Sequence, residues 1–412
     1  MELSTLLEQY EPYVGHELLQ RIYRAAEALA GVHILHLNTT AVGGGVAEIL
    51  EALTPLAEEF GIHHSRKIVQ LDIDSNRFTT RLVDFLQGNE PGKLPEDEKQ
   101  AFLDKMRHAA LTREECQADV YFIHDFQLAP LAQLYPWMRP ALWFCHIDTA
   151  NPNPDAQHYL RQFLDAYQLC LFNTRLSIFH DIPAEKAQVI TLGINPFNPK
   201  NGPLSKEQGM AALVRCGLDT ERPLITQVAR FDRWKNPWQA VDIYRQVKQS
   251  IPSVQLALVG AMEASDDINA RTILHDIQGY SQGDKDIHLL YDPEIIQDEE
   301  VNALQRYSDV ILQRSTHEGF GLTTTEAMWK EQPVVGTTAT GLRTQIIHGV
   351  NGYTVDDTAT AAACTLDLLQ QRDLWRQMGW HAHTHVQQHY LLPMMIRDYL
   401  EALGSVVSRK AA

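Results

Sequence analysis

The chain has 412 residues, 44% of them hydrophobic and 21% charged, which excludes disorder as its main state and suits two domains better than one core. Against 35 Lys and Arg stand 52 Asp and Glu, a formal charge of −17 that argues against a broad nucleic-acid or anionic-membrane face. A small anion can still be held, because local backbone dipoles and a few cations decide that.

Met1–Tyr10 is acidic and polar, without the basic and apolar regions of a signal peptide, and no run reaches 18 apolar residues. The first strand is expected at Val32–Leu37. Gly43-Gly44-Gly45 follows, then a helix over Val46–Phe60 with Val46, Ile49, Leu50, Leu53 and Leu56 at helical spacing. Further strands are expected at Val120–Ile123, Leu142–Cys145, Leu169–Phe172 and Val189–Leu192. Their near-continuous apolar character suits a parallel sheet covered on both faces. Leu71–Lys99 breaks the rhythm; it is polar, carries Gly88, Pro91, Gly92 and Pro95, and is expected to decorate the edge or mouth of the sheet. Asn195–Pro203, with three prolines, is the best linker candidate.

A second alternation follows. Strands are expected at Leu224–Val228, Val254–Val259, Ile287–Tyr291, Val310–Gln313, Pro333–Gly336 and Tyr353–Val355. Helices are expected at Trp238–Ile251, Val301–Tyr307 and Leu322–Lys330, with a helical tail from Thr358 to about Ala402. The five cysteines (Cys116, Cys145, Cys170, Cys216, Cys364) show no metal or CxxC spacing and read as reduced thiols of a cytoplasmic protein. The expected fold class is α/β, two Rossmann-like halves facing across a cleft, with functional residues just after the strands.

Four segments carry chemistry in that position. Gly43-Gly44-Gly45 lets the backbone approach a ligand before a helix N-terminus, or simply makes a tight turn; it is not GxGxxG, which disfavours NAD. Arg230-Phe-Asp-Arg-Trp-Lys235 offers a forked cation and a point charge suited to a diphosphate, against the plainer reading of a solvated loop. Glu318-Gly-Phe-Gly-Leu-Thr-Thr-Thr-Glu326 places two carboxylates around a glycine-rich helix start, one able to reach a sugar and the other a ribose. His146-Ile-Asp148 ends a strand, as does the weaker pair His124-Asp125; such a histidine is either a satisfied core residue or faces the cleft. His381, His383, His385 and His389 lie on the helical tail and are not read as metal ligands, since no carboxylate partner is implied.

The Glu-x7-Glu and Arg-x4-Lys spacings with the glycine-rich first loop resemble the retaining GT-B glycosyltransferases of family four. His146-Ile-Asp148, Leu86-Gln-Gly-Asn-Glu90, Thr226–Lys235 and Glu318–Lys330 are similar to the trehalose synthases, which join nucleotide-activated glucose to free glucose; the likeness runs from about Gly31 to Leu400. His124-Asp-Phe-Gln-Leu128 stands where those relatives carry His-Asp-Pro-Gln-Pro.

The resemblance implies an acceptor-side domain over 1–196, with a C-terminal helix at about 386–412 packing back on it, and a nucleotide-sugar domain over 204–385. It implies that His146, Arg230, Lys235 and Glu318 are catalytic. It places Gly43, Gly44, Val259, Gly260, Phe320, Gly321, Leu322, Thr323 and Glu326 on the donor, and Asp148, Asn151 and Gln127 on the acceptor. The co-substrate would be UDP-, ADP- or GDP-glucose and the acceptor a small sugar. Neither cofactor nor metal is called for, no nucleic-acid or membrane partner is expected, and a homodimer is compatible with the relatives. The alternatives weighed are a trehalose phosphorylase or another family-four sugar transferase, a non-catalytic sugar-binding protein, and a lipid glycosyltransferase at a membrane surface. The last would need a basic amphipathic helix, and Leu6–Ala30 and Val46–Phe60 are acidic or mixed.

Overall fold

The computed structural model describes residues 5–40, 45–109, 111–260 and 268–411. The chain divides into two units: unit 1 is 1–192 with 392–412, and unit 2 is 193–391.

Unit 1 is built on a parallel sheet of six strands in the order β2-β1-β3-β4-β5-β6. They are β1 His33–Asn38, β2 His63–Ile68, β3 Val120–His124, β4 Ala141–Cys145, β5 Leu169–Phe172 and β6 Ala187–Val189. Every residue of β3, β4 and β5 is buried, as their apolar runs require. β2, His-His-Ser-Arg-Lys-Ile, has no such run and is not foreseen; it lies at the sheet's edge and is largely half-exposed. The segment Leu71–Lys99, expected to be an irregular decoration, contains one helix, Ile73–Leu86, and the start of another, Glu96–Arg107. Asp72 caps the first by accepting from Ser75 N at 2.8 Å, and Phe78, Leu82, Phe85, Phe102 and Met106 drive both into the core. Gly88, Pro91, Gly92 and Pro95 fall in the turn between them. The last helix, Leu392–Ala411, packs on His16–Glu27, where Arg21 forks onto Glu401 at 2.5 and 3.0 Å.

Unit 2 carries a second parallel sheet of six strands, β12-β11-β10-β7-β8-β9. These are β7 Leu224–Val228, β8 Gln255–Val259, β9 Ile287–Leu290, β10 Val310–Gln313, β11 Val334–Gly336 and β12 Gly352–Thr354. The first strand of the unit lies beside its fourth, so the order reverses between β7 and β10, where α/β sheets open a crevice at their carboxyl ends. Three helices here, Lys206–Arg215, Ile268–Tyr280 and the short Thr340–Gln345, have no counterpart among the expected elements. The first carries a capping box, Ser205 with Gln208, in a segment too short and polar to show a clear apolar stripe. The tail resolves into three helices, Thr358–Gln370, Arg372–His389 and Leu392–Ala411.

Asn195–Pro203, read as a linker, is held within unit 2: Asn302 Nδ2 donates to Pro199 O and Gly202 O at 2.9 and 3.0 Å, and Asn201 is buried. All five cysteines are free. Among the described residues no helix is long and apolar enough to cross a membrane, and no three His, Cys, Asp or Glu side chains converge as metal ligands.

Candidate functional site

In unit 2 the residues singled out by sequence gather where the strand order reverses. β7 ends at Val228, and Asp232 caps a short turn, Arg233–Lys235, by accepting from Trp234 N at 3.0 Å. Asn236, in the left-handed region at φ 45°, then opens the helix Pro237–Ser250. This turn brings Lys235 across to the loop after β10, where its Nζ lies 2.6 Å from Glu318 Oε2. Ser315 Oγ donates to the same oxygen at 3.0 Å. The Lys235 and Glu318 side chains are only 18% and 11% exposed. The two loops are tied through the backbone as well. Gln227 Nε2 donates to Lys235 O at 2.9 Å, Gln227 Oε1 accepts from Arg314 N at 3.0 Å, and Thr316 N donates to Trp234 O at 2.8 Å.

Arg230 does not share that pair. Its side chain is 66% exposed and its nearest ion partner is Asp232 at 3.7 Å. The cations of the motif therefore differ: Lys235 is engaged by Glu318, and Arg230 is largely exposed to solvent beside Asp232.

Glycine is required at two places here. Gly321, at φ +91°, is the N-cap of Leu322–Trp329, so the amides of Leu322 and Thr323 stand at the helix start without intrahelical acceptors. Gly260, just after β8 and next to buried Val259, lies against the β7 loop: a Cβ there would sit 2.4 Å from Ala229 O. Phe320 is buried, and its carbonyl accepts from Gln345 Nε2 at 2.6 Å.

Glu326 lies one turn inside that helix and is only 3% exposed. Lys200 Nζ is 2.9 Å from its Oε1, and Gln305 Nε2 donates to its Oε2 at 3.0 Å. Lys330, fully buried behind it, donates to Gln305 Oε1 at 2.6 Å and Asn201 Oδ1 at 2.8 Å; burial pushes its ammonium down to about 7. Sequence spacing gave no sign of Lys200 or Gln305, which meet Glu326 only through the fold, nor that Lys330, one helical turn after Glu326, would turn inward to them.

In unit 1, Gly43 and Gly44 lie outside the described residues, and Gly45 begins the helix Gly45–Glu59. His146 follows β4 and is half-buried. Asp125, at φ 67°, accepts from Phe126 N at 3.2 Å and from His146 N at 3.3 Å, tying the ends of β3 and β4; burial raises its carboxyl to about 6. Asp148 is buried and accepts from Ala150 N at 3.1 Å. Gln127 Oε1 is a buried acceptor with no protein partner among the described residues, whereas Asn151 is exposed. His146 Nε2 lies 3.0 Å from His124 Nδ1, so the two histidine candidates are joined.

Residues 36–178 match the family described as "Trehalose synthase, N-terminal domain", and 214–382 match "Glycosyl transferases group 1". The trehalose synthases of Thermococcus litoralis and Pyrococcus furiosus are each 39% identical over 97% of this chain and 97% of their own length. That of Rubrobacter xylanophilus is 34% identical over 97% of both. Among solved structures, α,α-trehalose 6-phosphate synthase from Burkholderia multivorans superposes with a TM-score of 0.72 at 15% identity, over 93% of this chain and 100% of that one. Sucrose-phosphate synthase from Thermosynechococcus elongatus gives 0.68 at 17% identity, over 92% and 99%.

Proposed function

This chain belongs to the trehalose synthase family of GT-B glycosyltransferases, and from that premise we propose that it moves glucose from a nucleoside-diphosphate glucose to free glucose, forming trehalose with retention. The observation that carries this reading is the Lys235–Glu318 pair, held by Ser315 at the reversal point of the unit 2 sheet. Such a pair is a stored donor site. An arriving diphosphate offers Lys235 a doubly charged partner. Glu318 is then free to accept hydrogen bonds from the hydroxyls of the transferred hexose.

In this mechanism the bond from the anomeric carbon to the phosphate oxygen loosens first, through an oxocarbenium-like state. Negative charge grows on the departing diphosphate. Arg230, Lys235 and the amides of Leu322 and Thr323 stabilise it there. The acceptor hydroxyl attacks from the face the diphosphate is leaving. Its proton passes to the leaving phosphate oxygen as the new C–O bond forms, so the configuration is retained and no covalent enzyme intermediate is needed. Glu326 takes the ribose hydroxyls: a carboxylate has about four lone-pair directions, of which Lys200 and Gln305 use two. Val259 and Gly260 border the base, and Gly43, Gly44, Phe320 and Gly321 supply backbone contacts to the donor. His146 touches the donor sugar, while Asp148, Asn151 and Gln127 bind the acceptor.

The test is a panel of ADP-, UDP- and GDP-glucose with free glucose, the product linkage being read by NMR. An α,α-1,1-linked disaccharide supports the proposal. Failure of glucose as acceptor with every donor overturns it. Glucose 1-phosphate formed from trehalose and inorganic phosphate would assign a phosphorylase instead, the activity in the name of a Pleurotus pulmonarius relative that is 26% identical over 92% of this chain and 58% of its own length.

A further inference from the structure

Three histidines of unit 1 form a continuous row across neighbouring strands. His146 Nε2 is 3.0 Å from His124 Nδ1, and His124 Nε2 is 3.0 Å from His36 Nδ1. His36 Nε2 is 3.1 Å from the hydroxyl of Tyr399, on the last helix. The rings stack along the row, His124 on His146 at 16° and His36 on His124 at 27°, both at 5.3 Å. His64, on the edge strand, closes the far end with Nε2 3.5 Å from the same hydroxyl. This geometry follows from the sheet order, since β4, β3 and β1 are neighbours and each contributes one ring at or near its carboxyl end.

We propose that His124, His36 and Tyr399 are positioning residues that fix His146 as the Nδ1–H tautomer, so that the end of the row offered to the sugar is a hydrogen-bond donor. The role given to the sugar rests on the reading of His146 above; the row itself does not.

A neutral imidazole carries one N–H and one lone pair. His36 and His124 are 2% exposed, burial holds both rings well below their ordinary range, and the charge of Arg66 lowers both further. Burial likewise lowers His146 to about 3 and His64 to about 4. Each nitrogen-to-nitrogen link needs exactly one proton, so neutral rings joined this way must all point in the same direction. Two directions exist, and the far end decides between them.

If Tyr399 donates to His36, then His36 and His124 each pass on an Nδ1–H, and His146 Nε2 is an acceptor. In the reverse direction Tyr399 must donate to His64 Nε2. Two observations favour the first. The Tyr399 bond to His36 is 3.1 Å, whereas that to His64, at 3.5 Å, is at the limit of a hydrogen bond. His64 Nδ1 is also buried without a protein partner among the described residues. In the first direction that nitrogen is a bare lone pair; in the second it would be an orphaned N–H, the rarer defect in protein interiors. Burial keeps the Tyr399 hydroxyl protonated, as a donor must be.

His146 therefore ends the row with its proton on Nδ1, the ring nitrogen that His124 does not engage. It can donate to a hexose oxygen and cannot serve as a general base. The experiment uses the full chain with 15N-labelled histidine and long-range 1H–15N correlation at pH 7.5, assigned with His36→Gln and His124→Gln. His36, His124 and His146 should all be neutral with the proton on Nδ1. A proton on Nε2 of His146, or a charged ring in the row, overturns the proposal. Tyr399→Phe keeps the ring and removes the terminal donor. It should turn His146 into a mixture of tautomers and lower kcat about three- to tenfold, the size of one net hydrogen bond. An unchanged tautomer in that variant, with its fold retained, also overturns it. If Tyr399→Phe does not fold, His36→Gln gives the same reading at the next link. Correct tautomers without any glucosyl transfer would leave the row standing and remove only the proposed function; transfer with the opposite tautomer would do the reverse.

Discussion

Lys235 and Glu318 neutralise one another in the free protein, and this sets what each substitution should do. The two side chains are mostly buried, so desolvation offsets most of their attraction and the pair's net worth to folding is small. Its worth to the reaction is larger, because the ammonium must meet charge that appears only as the diphosphate leaves. Lys235→Ala should therefore lower turnover by about 10²–10³ and also lower the melting temperature, since it leaves the mostly buried Glu318 carboxylate with Ser315 in place of a cation. Arg230→Ala should behave alike in kinetics and leave the melting temperature unmoved, since the guanidinium is largely solvated. Steady-state rates beside calorimetric melts separate the two effects. Parent-like turnover in either variant would take that cation out of the reaction. Sequence alone pointed to both cations, because a loop after a buried strand is where ligands are met. It could not tell that one would be paired and the other largely exposed, since Glu318 and Ser315 come from a different loop.

Between elements, the helices Asp298–Tyr307 and Leu322–Trp329 and the coil around Asn201 share one buried ammonium. Lys330 joins Gln305 and Asn201, and Gln305 in turn holds Glu326. Its pKa lies near 7 in the folded chain against an ordinary 10.5, so between those values the unfolded state holds a proton that the folded state does not. Stability must then rise with pH across that window, by up to about 1.4 kcal/mol per unit from this one group. Lys330→Met removes the titration and leaves two buried acceptors short of a donor. It should lower stability at pH 7 by about 1–3 kcal/mol and flatten the slope between pH 7.5 and 9.5. Denaturant unfolding at several pH values measures both, and an unaltered slope would mean the folded amine titrates normally. This network shows where sequence legibility stops. Strands buried on every side, such as β3, β4, β7 and β10, are written as apolar runs and were read closely. β2 was not, because an edge strand need not be apolar; neither were the helices within Leu71–Arg107, whose polar faces hid Phe78 and Phe102. Contacts such as Lys330 to Asn201 join residues 129 apart and leave no local pattern.

At the scale of the whole chain, acid should not act evenly. Unit 1 holds four histidines in lowered, neutral form, His36 and His124 buried and His64 and His146 half-buried. In unit 2 the histidines lowered by burial are His288 and His385, both partly exposed. For each such ring the unfolded chain binds a proton from about pH 6.5 downward while the folded chain does not, so stability is intact above that value and is lost as pH falls. Two carboxyls of unit 1 act in the opposite sense. Asp125, raised to about 6, and Asp398, raised by burial, take up protons in the folded state first. Asp125 is half-protonated at about 6, so it offsets at most one ring. Between pH 6.5 and 6, where Asp125 offsets less than one ring, the four histidines of unit 1 outweigh the two of unit 2, whose Lys330 has by then regained most of its proton, and the steeper loss falls on unit 1. The net charge of −17 shrinks over the same range, but that relief is spread over the whole surface and cannot reverse a difference between units. Hydrogen exchange at pH 7.5 and 5.0, corrected for intrinsic rates, should show β1, β3 and β4 losing protection before β7, β8 and β10. Earlier loss in unit 2 would mean that the buried rings of unit 1 are already charged at neutral pH, and with a charged ring the one-way histidine row could not exist.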